Sequence, residues 1–226
     1  MMPFKIALDG PSGAGKSSLA KKIAKELGIV YVDTGALYRT IGLYVKEHNI
    51  SPEEPEKVAA ALKDVKLQLL FENGEQVIRL CGKKIGDEIR SPEMSMYASK
   101  VSAIPEVRTF LLDTQRNIAK ENSVIMDGRD IGTVIFPDAE VKIFLCASHL
   151  SRAQRRAAEL REKGINVSVE EVLKDMEERD KNDSQRAIAP AVPAKDAVIL
   201  DNSDINLDQT VAAALDIIKS KISLSE

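Results

Sequence analysis

Short apolar runs alternate along the chain with longer stretches whose apolar residues recur every third or fourth position. Residues 4–8 read as a buried strand, and residues 17–25 as a helix with Leu19 and Ile23 four apart. Gly28 stops that helix, and residues 29–33 form a second short apolar run. A helix follows from about Ala36, carrying Leu37, Ile41 and Leu43. Ser51-Pro52-Glu53-Glu54 has the form of a helix start with proline at the first helical position, and predicts a helix to about Lys63. The period then changes. Residues 65–71 mostly alternate, Asn73-Gly74 is a hairpin turn, residues 76–81 return, and Gly82-Lys83 turns the chain again before Lys84-Ile85. Ser91-Pro92 opens another helix, which Ile104-Pro105 breaks, and residues 106–121 form the next with Val107, Phe110, Leu111 and Ile118 inward. Residues 123–127, 141–146 and 197–201 are three further apolar runs. Between the last two lies a charged helical pair. Its first helix covers 148–163 up to Gly164, and a capping box at Ser168 with Glu171 opens the second. The final helix starts at Asn206, with Gln209 three residues on, and turns Val211, Leu215, Ile218 and Ile222 to one side.

Strands alternating with helices imply an α/β fold: a mainly parallel five-stranded sheet with helices on both faces. The alternating hairpin region departs from that plan. It reads as an inserted subdomain of about residues 48–90 with a small antiparallel sheet, or else as a meander packed on the edge of the main sheet.

The loop after the first strand sharpens this picture. Asp9-Gly10-Pro11-Ser12-Gly13-Ala14-Gly15-Lys16-Ser17 fits the phosphate-binding pattern G-x-x-x-x-G-K-[ST]. Such a loop points successive backbone N–H groups at a phosphate chain, its lysine reaches the β- and γ-phosphates, and its hydroxyl can ligate Mg²⁺. The following helix turns its positive end toward the same anion. Asp127-Gly128-Arg129-Asp130 follows the third strand, and an acid at the carboxyl end of a parallel strand faces the ligand crevice. Asp127 is placed to support Mg²⁺ through water, although Asp-Gly also suits a plain turn. Arg39, Arg129, Arg179 and Arg186 stand beside turns and helix ends. Planar guanidinium groups suit the joining of two phosphates, where charge on the moving group must be stabilised. The charged run 178–186 enters an apolar stretch between Pro190 and Pro193, which must pack and so hold that end in place.

Composition changes less. Hydrophobic residues make up 44% and charged residues 30%, a globular profile. A net charge of −3 argues against a general nucleic-acid binder. No apolar run approaches the ~20 residues of a membrane span, and no leader segment is expected. Cys81 and Cys146 show no metal spacing and are expected as small buried residues in a reduced, cytoplasmic compartment. His48 and His149 are expected at the surface.

Four stretches together resemble the bacterial-type cytidylate kinases of the nucleoside monophosphate kinase group: residues 9–16, Asp33-Thr34-Gly35-Ala36-Leu37-Tyr38-Arg39, residues 127–139, and Arg179-Asp180 through Arg186-Ala187 to Pro190. The resemblance implies one kinase domain over 1–226 with the P-loop nucleotide-hydrolase core at 1–47, 91–147 and 188–226. A monophosphate-binding insert would occupy about 48–90 and a mobile lid about 148–187. ATP with Mg²⁺ would lie on Gly10, Pro11, Ser12, Gly13, Ala14, Gly15, Lys16, Ser17 and Ser18, and Arg155 and Arg156 would meet its phosphates from the lid. Ser17 and Asp127 would serve the metal. For CMP or dCMP, Arg39, Arg129 and Arg186 would hold the acceptor phosphate, and Thr34 would stand where many members have serine. Ser99, Arg108 and Asp130 would read the base, and Arg179 with Asp183 the sugar. Lys16, Arg39, Arg129 and Arg186 would carry catalysis in a monomer acting on small nucleotides. The rivals are a different small-acceptor kinase on the same core and a GTPase-like switch. The switch needs D-x-x-G after the third strand and N-K-x-D for guanine, and the chain has neither.

Overall fold

A computed structural model describes residues 3–72, 74–162 and 164–222. Its strands and helices run in the order β1 (Lys5–Asp9), α1 (Lys16–Leu27), β2 (Val30–Asp33), α2 (Thr34–Glu47), α3 (Pro55–Ala61), β3 (Leu67–Glu72), β4 (Glu75–Leu80), β5 (Lys83–Ile85), α4 (Pro92–Val101), α5 (Pro105–Ile118), β6 (Val124–Gly128), β7 (Val141–Cys146), α6 (His149–Glu162), α7 (Val169–Gln185), β8 (Val198–Asp201) and α8 (Leu207–Lys221). Five strands form a parallel sheet ordered β2-β6-β1-β7-β8, as the five apolar runs predict.

Side chains alternate across that sheet, and each face has its own core. Ile6 and Leu8 of β1, with Ile125, Ile143 and Leu145, meet Leu19 and Ile23 of α1 and Val211, Leu215 and Ile218 of α8. Ala7 points the other way, among Val32, Met126, Ile131, Ile135 and Phe136. The central strand is covered on both faces, so its run is continuously apolar rather than alternating.

A third cluster joins α2, α3, α4 and α5 to the antiparallel sheet β3-β4-β5 through Leu37, Ile41, Val58, Leu80, Val101 and Leu111. The small sheet forms its own ladder, with Leu67 opposite Leu80 and Glu72 opposite Glu75. Gly74 takes φ +79 in its turn, while Asn73 lies outside the described residues. A fourth cluster zips α6 to α7 through Ala153, Ala157, Leu160, Val172 and Met176. The predicted boxes Ser168/Glu171 and Asn206/Gln209 both form.

Three expectations need correction. The helix foreseen from Pro52 starts at Pro55 and ends at Ala61, followed by a single tight turn over Leu62–Asp64. Glu54, the residue before Pro55, is pushed out of helical geometry to φ −109 and ψ 77, so a helix cannot run through it. Cys81 is exposed rather than buried, because it occupies the turn after β4 with φ +49, and Cys146 is half-buried. Helix α5 ends at Ile118, three residues short of Glu121. The end of α6 foreseen at Lys163 falls on a residue outside the description. His48 and His149 are exposed, His48 stacked on Tyr44. Among the described residues no helix is long and apolar enough to cross a membrane.

Candidate active site

The loop between β1 and α1 needs its glycines. Gly10, Gly13 and Gly15 all have positive φ, and a Cβ on Gly10 would lie 2.0 Å from the Leu145 carbonyl oxygen. Lys16 is buried and donates Nζ to the Pro11 carbonyl at 2.7 Å. Burial, and then the neighbouring charge of Arg129, hold its ammonium well below the ordinary lysine value. Ser17 and Ser18 are exposed on the first turn of α1.

Parallel pairing brings Asp127, at the end of β6, to this loop. Its Oδ2 accepts from Ser17 Oγ at 2.8 Å and its Oδ1 from the Tyr31 hydroxyl at 3.2 Å. Burial first, and then the charge of Asp33, push its carboxyl up to about 6. Thr34 donates Oγ1 to the Asp127 carbonyl at 2.7 Å. Asp9 ends β1 and accepts the N–H groups of Ile131 and Gly132, each at 2.7 Å. It thereby ties the start of the phosphate loop to the segment carrying Arg129 and Asp130.

Four cations converge at the carboxyl ends of β1, β2 and β6. Arg129 and Arg179 both depress Lys16, and Arg129 and Arg39 both depress Arg179. Burial and these neighbours push Arg179 down to about 10. Arg39 donates to Asp33 Oδ2 at 2.9 Å, Arg129 donates Nε to Asp183 Oδ2 at 3.0 Å, and Arg179 donates to Ser12 Oγ at 3.2 Å. The Nε groups of Arg39 and Arg179 are buried without a hydrogen-bond acceptor among the described residues. Buried donors without acceptors, at a point of concentrated positive charge, suit an anionic ligand. Burial would raise Asp183, but Arg129 and Arg179 outweigh it and hold its carboxyl below the ordinary value.

A second, more enclosed group lies beside the first. Asp130 pairs with Arg108, and accepts from Arg186 at 3.1 Å. Arg108 also donates to the Ser102 carbonyl at 3.2 Å and lies over the Tyr38 ring. Arg186 donates to Ser102 Oγ at 3.0 Å and to the Ala189 carbonyl at 2.6 Å. Ser99 donates to Asp183 Oδ1 at 3.0 Å and so links the two groups. Burial raises the Asp130 carboxyl despite its two arginines. A cleft of about 650 Å³, bordered by Pro52, Pro55, Ser99, Asn182 and Arg186, opens beside this cluster.

The charged helices meet the phosphate loop differently from expectation. Arg155 donates to Asn202 Oδ1 at 3.1 Å, and Asn202 donates to the Ala14 carbonyl at 3.0 Å, so Arg155 reaches the loop only through Asn202. Arg156 pairs with Glu159. On α6 the arginine in direct contact is Arg152, which donates to the Ser12 carbonyl at 2.7 Å and to Asp180 at 2.6 Å. Asp180 in turn accepts the Ser12 N–H at 3.1 Å. Sequence reasoning misses Arg152, Asp180, Asn202, Tyr31 and Asp9. Arg152 is one arginine among several on α6, and no local pattern ranks it above the others.

A triphosphate cradle, a cluster of cations beside it and a separate acid–arginine pocket suit a two-substrate phosphotransferase. Comparison with known proteins gives that arrangement a family. The cytidylate kinase family model matches residues 6–220. A cytidylate kinase from Thermosipho melanesiensis is 48% identical over 223 residues, covering 99% of this chain and all 100% of that one. Another, from Fervidobacterium nodosum, is 48% identical over 220 residues, 97% of this chain and 98% of that one. Among solved structures, an uncharacterized protein from Eubacterium ventriosum shares the fold, with TM-score 0.52 and 14% identity over 96% of this chain and 99% of that one. From its phosphate loop to its last helix, the chain belongs to the cytidylate kinase family.

Proposed function

We propose that the protein transfers the γ-phosphate of ATP to CMP or dCMP, giving ADP and CDP or dCDP. The observation that carries this is the convergence of Lys16, Arg39, Arg129 and Arg179 between the phosphate loop and the pocket of Arg108, Asp130 and Arg186.

The loop N–H groups and Lys16 bind the donor phosphates. Arg39 and Arg129, with Arg186 at the edge of the pocket, hold the acceptor phosphate, and Asp183 with Arg179 lies toward the sugar. An oxygen of the acceptor phosphate attacks the γ-phosphorus in line, the bond to the β-bridging oxygen breaks, and that oxygen leaves on ADP with the electron pair. The acceptor is already an anion, so no strong base is required. Catalysis is positioning and charge stabilisation, in a site where the donors are fixed beforehand. Asp130, Arg108 and Ser99 offer an acceptor and donors for the edge of cytosine.

The residues also fit a magnesium ion. Asp127 is a buried carboxylate whose charge is opposed by its surroundings, with the exposed Ser17 hydroxyl 2.8 Å from it, and both are hard oxygen donors. Ser17 and Asp127 would hold the ion, Asp127 through water, and the bound ion would neutralise charge on the β- and γ-phosphates. Oxygens of the donor phosphates would supply further ligands of the kind such an ion takes.

The same proposal makes 48–90 the acceptor-binding insert and 148–187 the lid, whose Arg152, Arg179 and Asp180 already touch Ser12. Closure would exclude water, which otherwise competes for the γ-phosphate. The protein would act as a cytoplasmic monomer on small nucleotides, and its net charge of −3 favours such partners over nucleic acid. A coupled ADP-release assay over CMP, dCMP, UMP, AMP and GMP tests the central claim. Turnover is expected with CMP and dCMP first. Good turnover on AMP or GMP with none on CMP would overturn it.

A further inference from the structure

β2 is an edge strand, and among the described residues its ladder partner is β6 alone. A side chain from the small antiparallel sheet fills the place a further strand would take. Gln76 of β4 accepts the Asp33 N–H with its Oε1 at 2.7 Å, and donates its Nε2 to the Asp33 carbonyl at 3.1 Å. Its amide presents the donor and acceptor that a neighbouring backbone would. An apolar contact backs this polar one. Phe71 lies opposite Gln76 in the β3–β4 ladder and packs, with Leu69, on the core cluster that contains Val32 and Met126.

Asp33 is committed on every side. Its Oδ1 accepts the Ala36 N–H at 2.8 Å and so caps α2, while its Oδ2 accepts from Arg39 at 2.9 Å. Gly35 has no Cβ to intrude here; one would lie 2.9 Å from an Arg39 guanidinium nitrogen. Among the described residues Arg39 makes no other hydrogen bond, and its Nε is buried without an acceptor there. Whatever fixes the backbone of Asp33 therefore fixes the direction of Arg39.

We infer that Gln76 is a positioning residue for phosphate transfer: it clamps the small sheet to the backbone of Asp33, and through Asp33 it aims Arg39 at the acceptor phosphate. The inference rests on the CMP kinase activity proposed above and on the place of Arg39 in it. Gln76 itself touches neither substrate.

The test is Gln76→Leu, which keeps the size of the side chain and removes both hydrogen bonds. Loss of two such bonds should lower kcat/KM for CMP about thirtyfold. The KM for ATP should stay within about twofold, because the donor loop is held by other contacts. The decisive arm is the double variant. In an Arg39→Ala background, Gln76→Leu should cost no more than about twofold, since the residue it works through is already gone. Gln76→Glu supplies a second variant should the leucine protein fail to fold. It keeps an acceptor for the Asp33 N–H, loses the donor, and should show the same dependence on Arg39. A full loss on top of Arg39→Ala, an equal rise in the KM for ATP, or no loss in the single variants would overturn the inference. Absence of CMP turnover in the unaltered protein would instead overturn the activity on which it rests.

Discussion

Asp183 holds the cation cluster together, and removing its charge should reveal how much that cluster costs the free protein. The residue is buried, with Arg129 Nε 3.0 Å and Arg179 Nε 4.0 Å from its Oδ2. Asp183→Asn leaves the shape and the Ser99 hydrogen bond but strips the anion from between two guanidinium groups. Taking one partner from a buried ion pair costs about 3–5 kcal/mol. The retained hydrogen bonds place this case near about 3 kcal/mol. For a chain of this size each kcal/mol moves Tm by about 2–4 °C, so a drop of about 6–12 °C is expected at pH 7. Arg129 and Arg179 hold the Asp183 carboxyl below its ordinary value of 3.8. Its stabilisation is thus fully present above that value and lost as pH falls through the depressed folded value, and the gap between variant and parent should close in acid. A second arm separates charge from packing. With Asp183 neutral, inorganic phosphate meets a more positive site, so it should raise the Tm of the variant more than that of the parent. Thermal unfolding followed by circular dichroism, with and without phosphate, reads both arms. A Tm within about 2 °C of the parent, or equal responses to phosphate, would refute the assignment of Asp183 as counter-charge to this cluster.

Three further outcomes are expected. Arg129→Ala should cut kcat/KM for CMP by about 100-fold or more while ATP affinity, measured by calorimetry, survives; near-normal turnover would remove it from the transfer site. Burial pushes Asp9 up to about 6, so its contribution to stability is full below about pH 4 and lost as pH rises through 6. The Tm of the parent relative to Asp9→Asn should therefore fall between pH 4 and about 6.5, and a rise over that interval would contradict a buried carboxylate whose desolvation outweighs its two backbone hydrogen bonds. Gly42 lies where α2 crosses α4, and a Cβ there would stand 2.8 Å from the Cβ of Tyr97. Gly42→Ala should cost about 1–3 kcal/mol, visible as a Tm loss of several degrees, and an unchanged Tm would show that the crossing yields easily.

What the chain makes legible follows the range of the physics involved. Strands β1 and β6 are readable because burial on both faces leaves unbroken apolar runs, and both capping boxes because they close within four residues. The phosphate loop is readable because its glycines answer a local steric demand, shown by the Leu145 carbonyl pressed against Gly10. The start of α3 is harder. Pro52 and Pro55 send the same signal, and only the constraint that Pro55 places on Glu54 decides between them. In the candidate site, the residue types and the chain segments that carry them are legible, but the pairings are not. Asp130 between Arg108 and Arg186, or Arg152 rather than Arg155 against Ser12, depends on elements far apart in sequence. Gln76 looks like any polar residue on a half-exposed strand until β2 is placed beside it.

The register of the central strand carries a consequence for biosynthesis. β1 occupies residues 5–9, yet its two neighbours are residues 124–128 and 141–144. The cluster of α2, the small sheet, α4 and α5 instead draws only on residues 36–111. Closing the short-range cluster first avoids the entropy of a long loop, so contacts of low sequence separation lead. On the ribosome, β1 must therefore wait, unpaired and apolar, until residues 124–128 have emerged. The phosphate loop, which follows β1 directly, takes shape after the cluster built later in the chain, and a chain cut short before residue 124 would expose that strand to aggregation.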